Sequence, residues 1–435
     1  MEKSLKLIVV GGGPVGLTAA HALHHASIEF VVLERRDAVI IDEGASLVLG
    51  PQSLRIMHQF GLLDRLLEIG GEVRRNKAIT HDGKVFRDTF SPQGIRKNHG
   101  TAPVTFHRAE LIQVLYDGLP PAAKERYFTG KDVVNITSND DGVEVACADG
   151  SVYSGAAVLG VDGVHSRTRR LMRKDALGAN LKSGWDPERP FTATYKCLWC
   201  SFARPSDTGE SYETQSKDQS VMYLTGRERA WIFLYEKLPQ PTSERTSYTK
   251  DDVDAFAAKF AEFPVTEDLK VKDVYAKRTS VGMANLEEGI AGHWSCGRIV
   301  LAGDACHKFT PNAGLGLNAG IQDVVVLCNL LHKAMKTSPA MDTAAFGQLF
   351  KEYRKLRVKD LKAQLRQSAY MTRMQAWANG AYFVLARYVT NPAVVQQVFI
   401  RTLVANAIKQ GLVLEYVPAS EPFQGKVKWV HPLKS

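Results

Sequence analysis

Three stretches of this chain carry residues whose types and spacing could do chemistry. The first is Gly11-Gly12-Gly13-Pro14-Val15-Gly16. Gly11 permits a tight turn there. Gly13 lets a pyrophosphate approach the backbone, and Gly16 lets a helix pack closely on a strand. Glu34 stands 18 residues beyond Gly16, at the spacing of an acid that accepts ribose hydroxyls. The second stretch runs from Gly160 to Arg169 and contains Asp162-Gly163. The third contains Gly303-Asp304-Ala305-Cys306-His307, followed by Pro311-Asn312-Ala313-Gly314-Leu315-Gly316-Leu317-Asn318. A pair of cysteines, Cys197 and Cys200, has redox or zinc spacing. No second pair completes a zinc site, and strand positions three apart face opposite ways, so no metal is expected there.

The elements around these residues fit a nucleotide fold. Leu5–Val10 is an apolar, β-branched run suited to a buried parallel strand. Pro14–Ala26 reads as a helix and Glu29–Leu33 as a second strand, which completes a βαβ unit. The positively polarised helix start then faces the phosphates. FAD and NAD both satisfy this fingerprint. Gly314-x-Gly316-x-x-x-Gly320 lacks its own buried strand and ribose acid, so only one dinucleotide fold is expected. Helical spacing covers Pro51–Ile69, Arg108–Leu119, Asp251–Phe263 and Gly316–Met335, and then extends from Asp342 to about Leu412. Ala156–Val161 and Arg298–Ala302 are short apolar strands. Lys77–Phe90 reads as a hairpin turning at Asp82-Gly83. Phe191–Glu236 carries aromatic, β-branched segments that read as antiparallel sheet.

Composition narrows the class. The 435 residues carry a formal charge of +9, with hydrophobic residues at 45%, which excludes disorder and collagen. The basic residues are dispersed among acids and apolar residues, so nucleic acid is not an expected partner. Six cysteines do not make a disulfide framework. Leu7–Ile28 has no charge, but its glycines, proline and histidines read as fold rather than as a targeting segment.

The second and third stretches resemble the class A FAD-dependent monooxygenases, the aromatic-hydroxylase fold. That family carries Gly-Ala-Asp-Gly-x-x-Ser-x-Val-Arg, then Gly-Asp-Ala-Ala-His followed by Pro and a glycine-rich turn. This chain departs at Val161, Thr168 and Cys306, all packing positions. The resemblance implies FAD as cofactor, with NADPH or NADH as a transient electron donor and O2 as co-substrate. It implies that Gly11, Gly13, Pro14, Val15, Gly16, Glu34 and Arg35 hold the ADP half, with Ala45 nearby and Arg108 along the cofactor. Asp162 would touch cofactor and donor, or else serve as a turn residue. Gly303 and Asp304 would meet the ribityl chain, Asp304 being otherwise a helix cap. Pro311, Gly314, Gly316, Leu317 and Asn318 would face the flavin ring. His307 reads as structural rather than as a base. The implied reaction passes oxygen from a flavin C4a-hydroperoxide to a nucleophilic carbon.

The Glu43–Gln52 segment and Tyr195-Lys196-Cys197 are most similar to fungal secondary-metabolite members of that family. These epoxidise or hydroxylate prenylated aromatics, terpenoids or indole alkaloids. Tyr195 and Lys196 become candidate catalytic residues, with a solvent-facing edge-strand lysine as the rival reading. Trp199, Phe202, Met222, Tyr223, Trp231 and Phe233 suit an apolar small-molecule substrate, although alternation lets only half of them face a pocket. Competing activities are a phenol-type aromatic hydroxylase and a flavin-dependent prenyl double-bond reductase. A halogenase would carry Trp-x-Trp-x-Ile-Pro, which is absent. A prenyl-protein escort would not need Asp162 and Asp304.

The expected fold class is α/β, α+β overall. A Rossmann-type FAD-binding domain (1–75, 102–185 and 285–345) interleaves with an antiparallel-sheet substrate domain (76–101 and 186–284). A C-terminal helical region and tail follow (346–435). The apolar, sparsely charged C-terminal helices suggest peripheral membrane contact. The expected location is cytoplasmic, at the endoplasmic-reticulum membrane surface.

Overall fold

The structure, a computed structural model, describes residues 5–42, 45–178, 184–337 and 341–435. Part of the Glu43–Gln52 segment, residues 43–44, therefore lies outside the described residues. Lys6–Val10 and Glu29–Leu33 pair in parallel, with Leu7 opposite Phe30. They sit inside a six-stranded sheet in the order Ser295–Cys296, Ile299–Leu301, Ala157–Gly160, Lys6–Val10, Glu29–Leu33, Tyr127–Phe128. Only the Ser295–Cys296 edge runs antiparallel. The central strands are apolar throughout because both faces are covered. Helix Pro14–His25 packs on helix Gly316–Thr337 over this sheet.

The second sheet has eight strands, in the order His307–Lys308, Ser280–Ile290, Thr192–Ala203, Arg229–Thr242, Gln219–Thr225, Glu210–Ser216, Arg75–Thr80, Val85–Thr89. It is antiparallel apart from the Glu210–Ser216 pairing with Arg75–Thr80. Ser280–Ile290 runs across the boundary expected at 284–285 and pairs along Thr192–Ala203. Its glycines disguise it as loop. Gly282 is required there because a Cβ would lie 2.5 Å from the Trp199 ring. A three-stranded ribbon of Ser46–Leu49, Val104–His107 and Gly71–Glu72 stands apart from both large sheets.

Helix Arg167–Gly178 lay unread in a basic run. Its start is nevertheless signalled by Ser166, whose Oγ accepts the Arg169 N–H at 2.9 Å. The C-terminal region departs most from expectation. Helix Thr343–Gln375 stops where Trp377 takes a φ of 39°. The chain then continues as short helical pieces, Gly380–Val384 and Ala393–Phe399, with π-helical turns at Leu385–Val389 and Ile400–Val404. Beyond these the chain crosses back over helix Pro51–Gln59. Fully buried Arg55 is paired there with Glu421 and donates to the His431 carbonyl at 2.7 Å.

One helix, Leu315–Thr337, is long and apolar enough to cross a membrane by length and composition, and 67% of that window is buried inside the protein. It also carries a buried carboxylate. Asp323 accepts from the Gly303 N–H at 3.0 Å, from His307 Nε2 at 2.5 Å and from Arg357 Nε at 2.7 Å. Burial pushes its pKa up. The charges and hydrogen bonds of His307 and Arg357 outweigh that and hold it below the ordinary 3.8. The structural reading of His307 is the one this geometry supports. The stability Asp323 contributes is therefore present above pH 3.8 and is withdrawn as the pH falls through the depressed folded-state value. Arg357→Met leaves a buried carboxylate short of its cation, and urea denaturation should register a loss of about 3–5 kcal/mol. A loss under about 1 kcal/mol, within the range of surface substitutions, would contradict the assignment.

Candidate active site

The glycine loop is shaped by its own backbone. Gly11 has a φ of 109° and donates to the Leu33 carbonyl at 2.9 Å. A Cβ on Gly16 would lie 1.9 Å from the Gly11 oxygen, so the helix can approach only with glycine there. A Cβ on Gly13 would meet nothing within 4 Å, and the helix start at Pro14 has no side-chain cap. Open space over uncapped helix N–H groups is a cradle that fits a pyrophosphate. Glu34 closes one side, accepting from the Gly12 N–H at 2.7 Å and the Arg36 N–H at 3.0 Å. A carboxylate has lone pairs left for ribose hydroxyls beyond these two bonds. Arg35 is exposed beside it. The Val15 side chain packs against the Gly316–Thr337 helix, for a Cβ on Gly320 would lie 2.8 Å from it.

The other two motifs converge on the same end of the sheet. Arg169 is buried and donates to the Ala305 carbonyl at 2.7 Å and the Val164 carbonyl at 2.8 Å, which ties the Asp162 turn to the Gly303 turn. Asp162 takes the Ser166 hydroxyl on one oxygen and the Thr168 N–H, at 2.8 Å, on the other. Its carboxylate is thus engaged in starting helix Arg167–Gly178, the turn role held open above. Asp304 is half-buried, paired with Lys308, and its Oδ1 lies 3.7 Å from where a Cβ on Gly316 would be. Asn318 is fully bonded. It accepts from the Gly50 N–H and Ser53 Oγ and donates to the Val48 and Gly314 carbonyls, all within 2.9 Å. Its side chain therefore fixes the turn, and a ring bound there would meet backbone N–H groups of the Gly314–Leu317 stretch.

Gly314 has a φ of 61° after the single turn Pro311–Ala313. That turn is held from behind by the long helix. Thr310 Oγ1 pairs with Ser368 and Thr372 at 2.7 Å, and Asn312 Nδ2 donates to Gln375 at 2.5 Å. Nothing local in the sequence announces these partners. Arg108 opens helix Arg108–Asp117 and is half-buried.

The chain matches the FAD binding domain family over residues 4–346. It is 34% identical over 398 residues to the FAD-dependent monooxygenase ausM of Penicillium brasilianum, covering 89% of this chain and 83% of that one. The chain belongs to the FAD-dependent monooxygenases. A second relative, the FAD-dependent monooxygenase prhF of the same fungus, is 33% identical, with 97% and 89% covered. Among solved structures, Klebsiella pneumoniae HpxO complexed with FAD and uric acid aligns with a TM-score of 0.74 at 21% identity, covering 93% of this chain and 98% of that one. 2,6-Dihydroxypyridine-3-hydroxylase from Arthrobacter nicotinovorans aligns at 0.67 and 18% identity, with 87% and 95% covered. FAD is the cofactor of this monooxygenase, with NAD(P)H as its reductant.

The eight-stranded sheet of the monooxygenase has two distinct faces. Cys197, Met222, Trp231, Phe233 and Tyr235 cluster on one, joined by Trp199, Leu224, Leu286 and Ala45. Ala45 follows the second strand of the nucleotide fold, so this face looks toward the cofactor domain. Phe202 and Tyr223 belong to the other face, with Leu198 and Cys200, against Val253 and Phe256 of helix Lys250–Lys259. The aromatic residues are therefore divided between the two faces, as strand alternation requires, and Cys197 and Cys200 lie on opposite sides.

Tyr195 is on the cofactor-facing side. Its hydroxyl is buried with no hydrogen-bond partner, and burial pushes its pKa up to about 12 despite the opposing charge of Arg373. Arg373 pairs with Glu288 at 2.7 Å. Lys196 points the other way: its ammonium lies 3.1 Å from Glu236 and 4.7 Å from the Phe256 ring. The joint role expected of Tyr195 and Lys196 is corrected by this geometry, because neighbouring strand residues face opposite sides of the sheet. The indole N–H of buried Trp231 also has no partner. As a sequence letter Trp231 reads only as an apolar residue.

Gly13→Ala and Gly16→Ala separate cofactor contact from folding. Gly13→Ala should leave the melting temperature of the apoprotein unchanged while FAD retention falls at least about tenfold, the effect of about 1.4 kcal/mol. Gly16→Ala should destabilise the apoprotein itself. Equal FAD retention in Gly13→Ala and wild type would refute the cradle.

Proposed function

We propose that this monooxygenase oxygenates an elongated apolar small molecule, by epoxidation or hydroxylation, and that prenylated aromatics or terpenoids of secondary metabolism are its substrate class. The observation that carries this reading is the cofactor-facing side of the sheet. It is floored by Trp199, Met222, Trp231, Phe233 and Leu286 and has unpartnered donors at Tyr195 and Trp231. On strand Arg229–Thr242, Trp231 lies six positions from Lys237, the residue paired with Tyr195. At about 3.3 Å per residue, that separates the two donors by about 20 Å. An apolar body of that length with an acceptor oxygen near an end satisfies both the surface and the donors.

Bound FAD supplies the electron transfer and the activation of oxygen. The chain supplies position. Gly11–Gly16 and Glu34 hold the nucleotide half. The start of helix Gly316–Thr337 favours negative charge where the ring would lie. Trp231 and Phe233 exclude water. Tyr195 stays protonated through the neutral range and so acts as a donor that orients substrate, not as a base. An electron-rich alkene needs no base, whereas a phenol does. Tyr195 supplies no such base, which supports alkene oxygenation.

The test is turnover of the purified holoenzyme with NADPH, labelled O2 and a panel of prenylated aromatic acids and simple phenols. Substrate-stimulated NADPH oxidation with label in a prenylated product is expected. Label appearing only in phenols would replace the reading with an aromatic hydroxylase. Anaerobic saturation of a double bond would replace it with a reductase. On the preferred substrate, Tyr195→Phe should lower coupled product formation about tenfold, the value of one hydrogen bond, with NADPH oxidation persisting as peroxide release. Lys196→Ala should leave coupling unchanged.

A further inference from the structure

The segment after helix Thr343–Gln375 turns its apolar side outward. Val384, Tyr388, Val389, Val394, Val395, Val398, Phe399 and Leu403 are all exposed, reaching 72% at Val394 and 64% at Tyr388 and Leu403. They are eight of the seventeen large hydrophobic side chains exposed among the described residues. The inward side of the same segment is tied down. Ile400 is buried against Gly94, Ser91 Oγ donates to Gln396 at 3.1 Å, and Asn391 donates to the Phe86 carbonyl at 2.8 Å. Hydrophobic residues gathered on an anchored, outward surface mark a contact site.

The charge pattern names the partner. No Asp or Glu occurs between Asp360 and Glu415, whereas Arg401 is exposed within the stretch and Lys409 lies just beyond it. A second copy of this chain would bring two such basic surfaces together with no acid to offset them. An anionic lipid surface meets both features, since apolar side chains enter the acyl boundary while Arg and Lys reach head groups. The apolar helix Ala393–Ile408 would reach about 24 Å at 1.5 Å per residue, short of a hydrocarbon core of about 30 Å. It can lie in a lipid interface and is too short to span.

We infer that residues 384–403 dock the monooxygenase on the surface of a bilayer containing anionic lipids. The docked segment is continuous with the helix end that holds the flavin turn. Trp377, at that end, donates to Gln215 of the substrate sheet at 3.0 Å. The docking itself does not depend on the proposed substrate class.

The experiment is flotation of the holoenzyme with vesicles of phosphatidylcholine alone or with phosphatidylserine. Wild type should float with the mixed vesicles, and more weakly with phosphatidylcholine or at high salt. The triple variant V394D/V398D/L403D should lose at least about tenfold in bound fraction, with FAD content and turnover of detergent-dispersed substrate unchanged. Arg401→Glu alone should weaken binding to the mixed vesicles only. Wild type that floats with neither vesicle would overturn the proposal, as would a triple variant that floats like wild type. Concentration-dependent dimerisation abolished by V394D/V398D/L403D, without vesicle binding, would assign the patch to self-association instead. Loss of turnover with binding intact would fault the substrate reading and not this one.

Discussion

A single buried carboxylate holds the flavin end of the molecule together. Asp323 receives the Gly303 amide and the His307 ring from one turn and the Arg357 guanidinium from the long helix. Gly303 begins the turn that carries Asp304. His307 begins the edge strand that pairs with Gly289 and Ile290 of the second sheet. Arg357 lies on the long helix that also grips Thr310 and Asn312. A charge with no water around it has to be compensated by fixed partners. That constraint sets the mutual position of nucleotide sheet, substrate sheet and C-terminal helix more tightly than apolar packing would. Cys306 and His307 beside Asp323 have the composition of a metal site. Arg357 already supplies the cation.

The parts legible in the sequence are those whose physics is local. Gly11, Gly13 and Gly16 announce a backbone conformation and a close approach, and Glu34 follows at a fixed distance along one strand. The turn at Gly314 likewise carries its own signal. What stayed hidden depends on partners remote in the chain. Asp162 is a local exception, its two oxygens taken by Ser166 and Thr168, four and six residues on. The side chain of Asn318 holds Gly50 and Ser53 in place, more than 260 residues back in the chain. Ser280–Ile290 is hard to read as a strand because Gly282 answers to Trp199 and Gly289 to Phe191. The C-terminal region reads as packed helices interrupted at Gly380 and Pro392. The break at Trp377 follows from docking onto Gln215, which no local pattern encodes.

Strand alternation accounts for the division of labour in the substrate sheet. Tyr195 and Lys196 are neighbours in sequence and belong to different environments, one a dry surface toward the cofactor domain and the other an ion pair beneath a helix. The same alternation sends Cys197 and Cys200 to opposite sides, where burial raises both thiol pKa values. The pair therefore has neither the proximity nor the acidity that disulfide chemistry needs.

The closure of the chain on itself through Arg55 has a consequence for synthesis. Helix Pro51–Gln59 leaves the ribosome early. Its buried guanidinium, however, is neutralised only by Glu421 and capped by the carbonyl of His431. Until those residues emerge, the cation stays hydrated, and the packing over helix Pro51–Gln59 cannot finally settle. Domains usually fold in the order in which they are made. Here the nucleotide fold begins first and is completed last, so this chain is exposed to premature termination along almost its whole length.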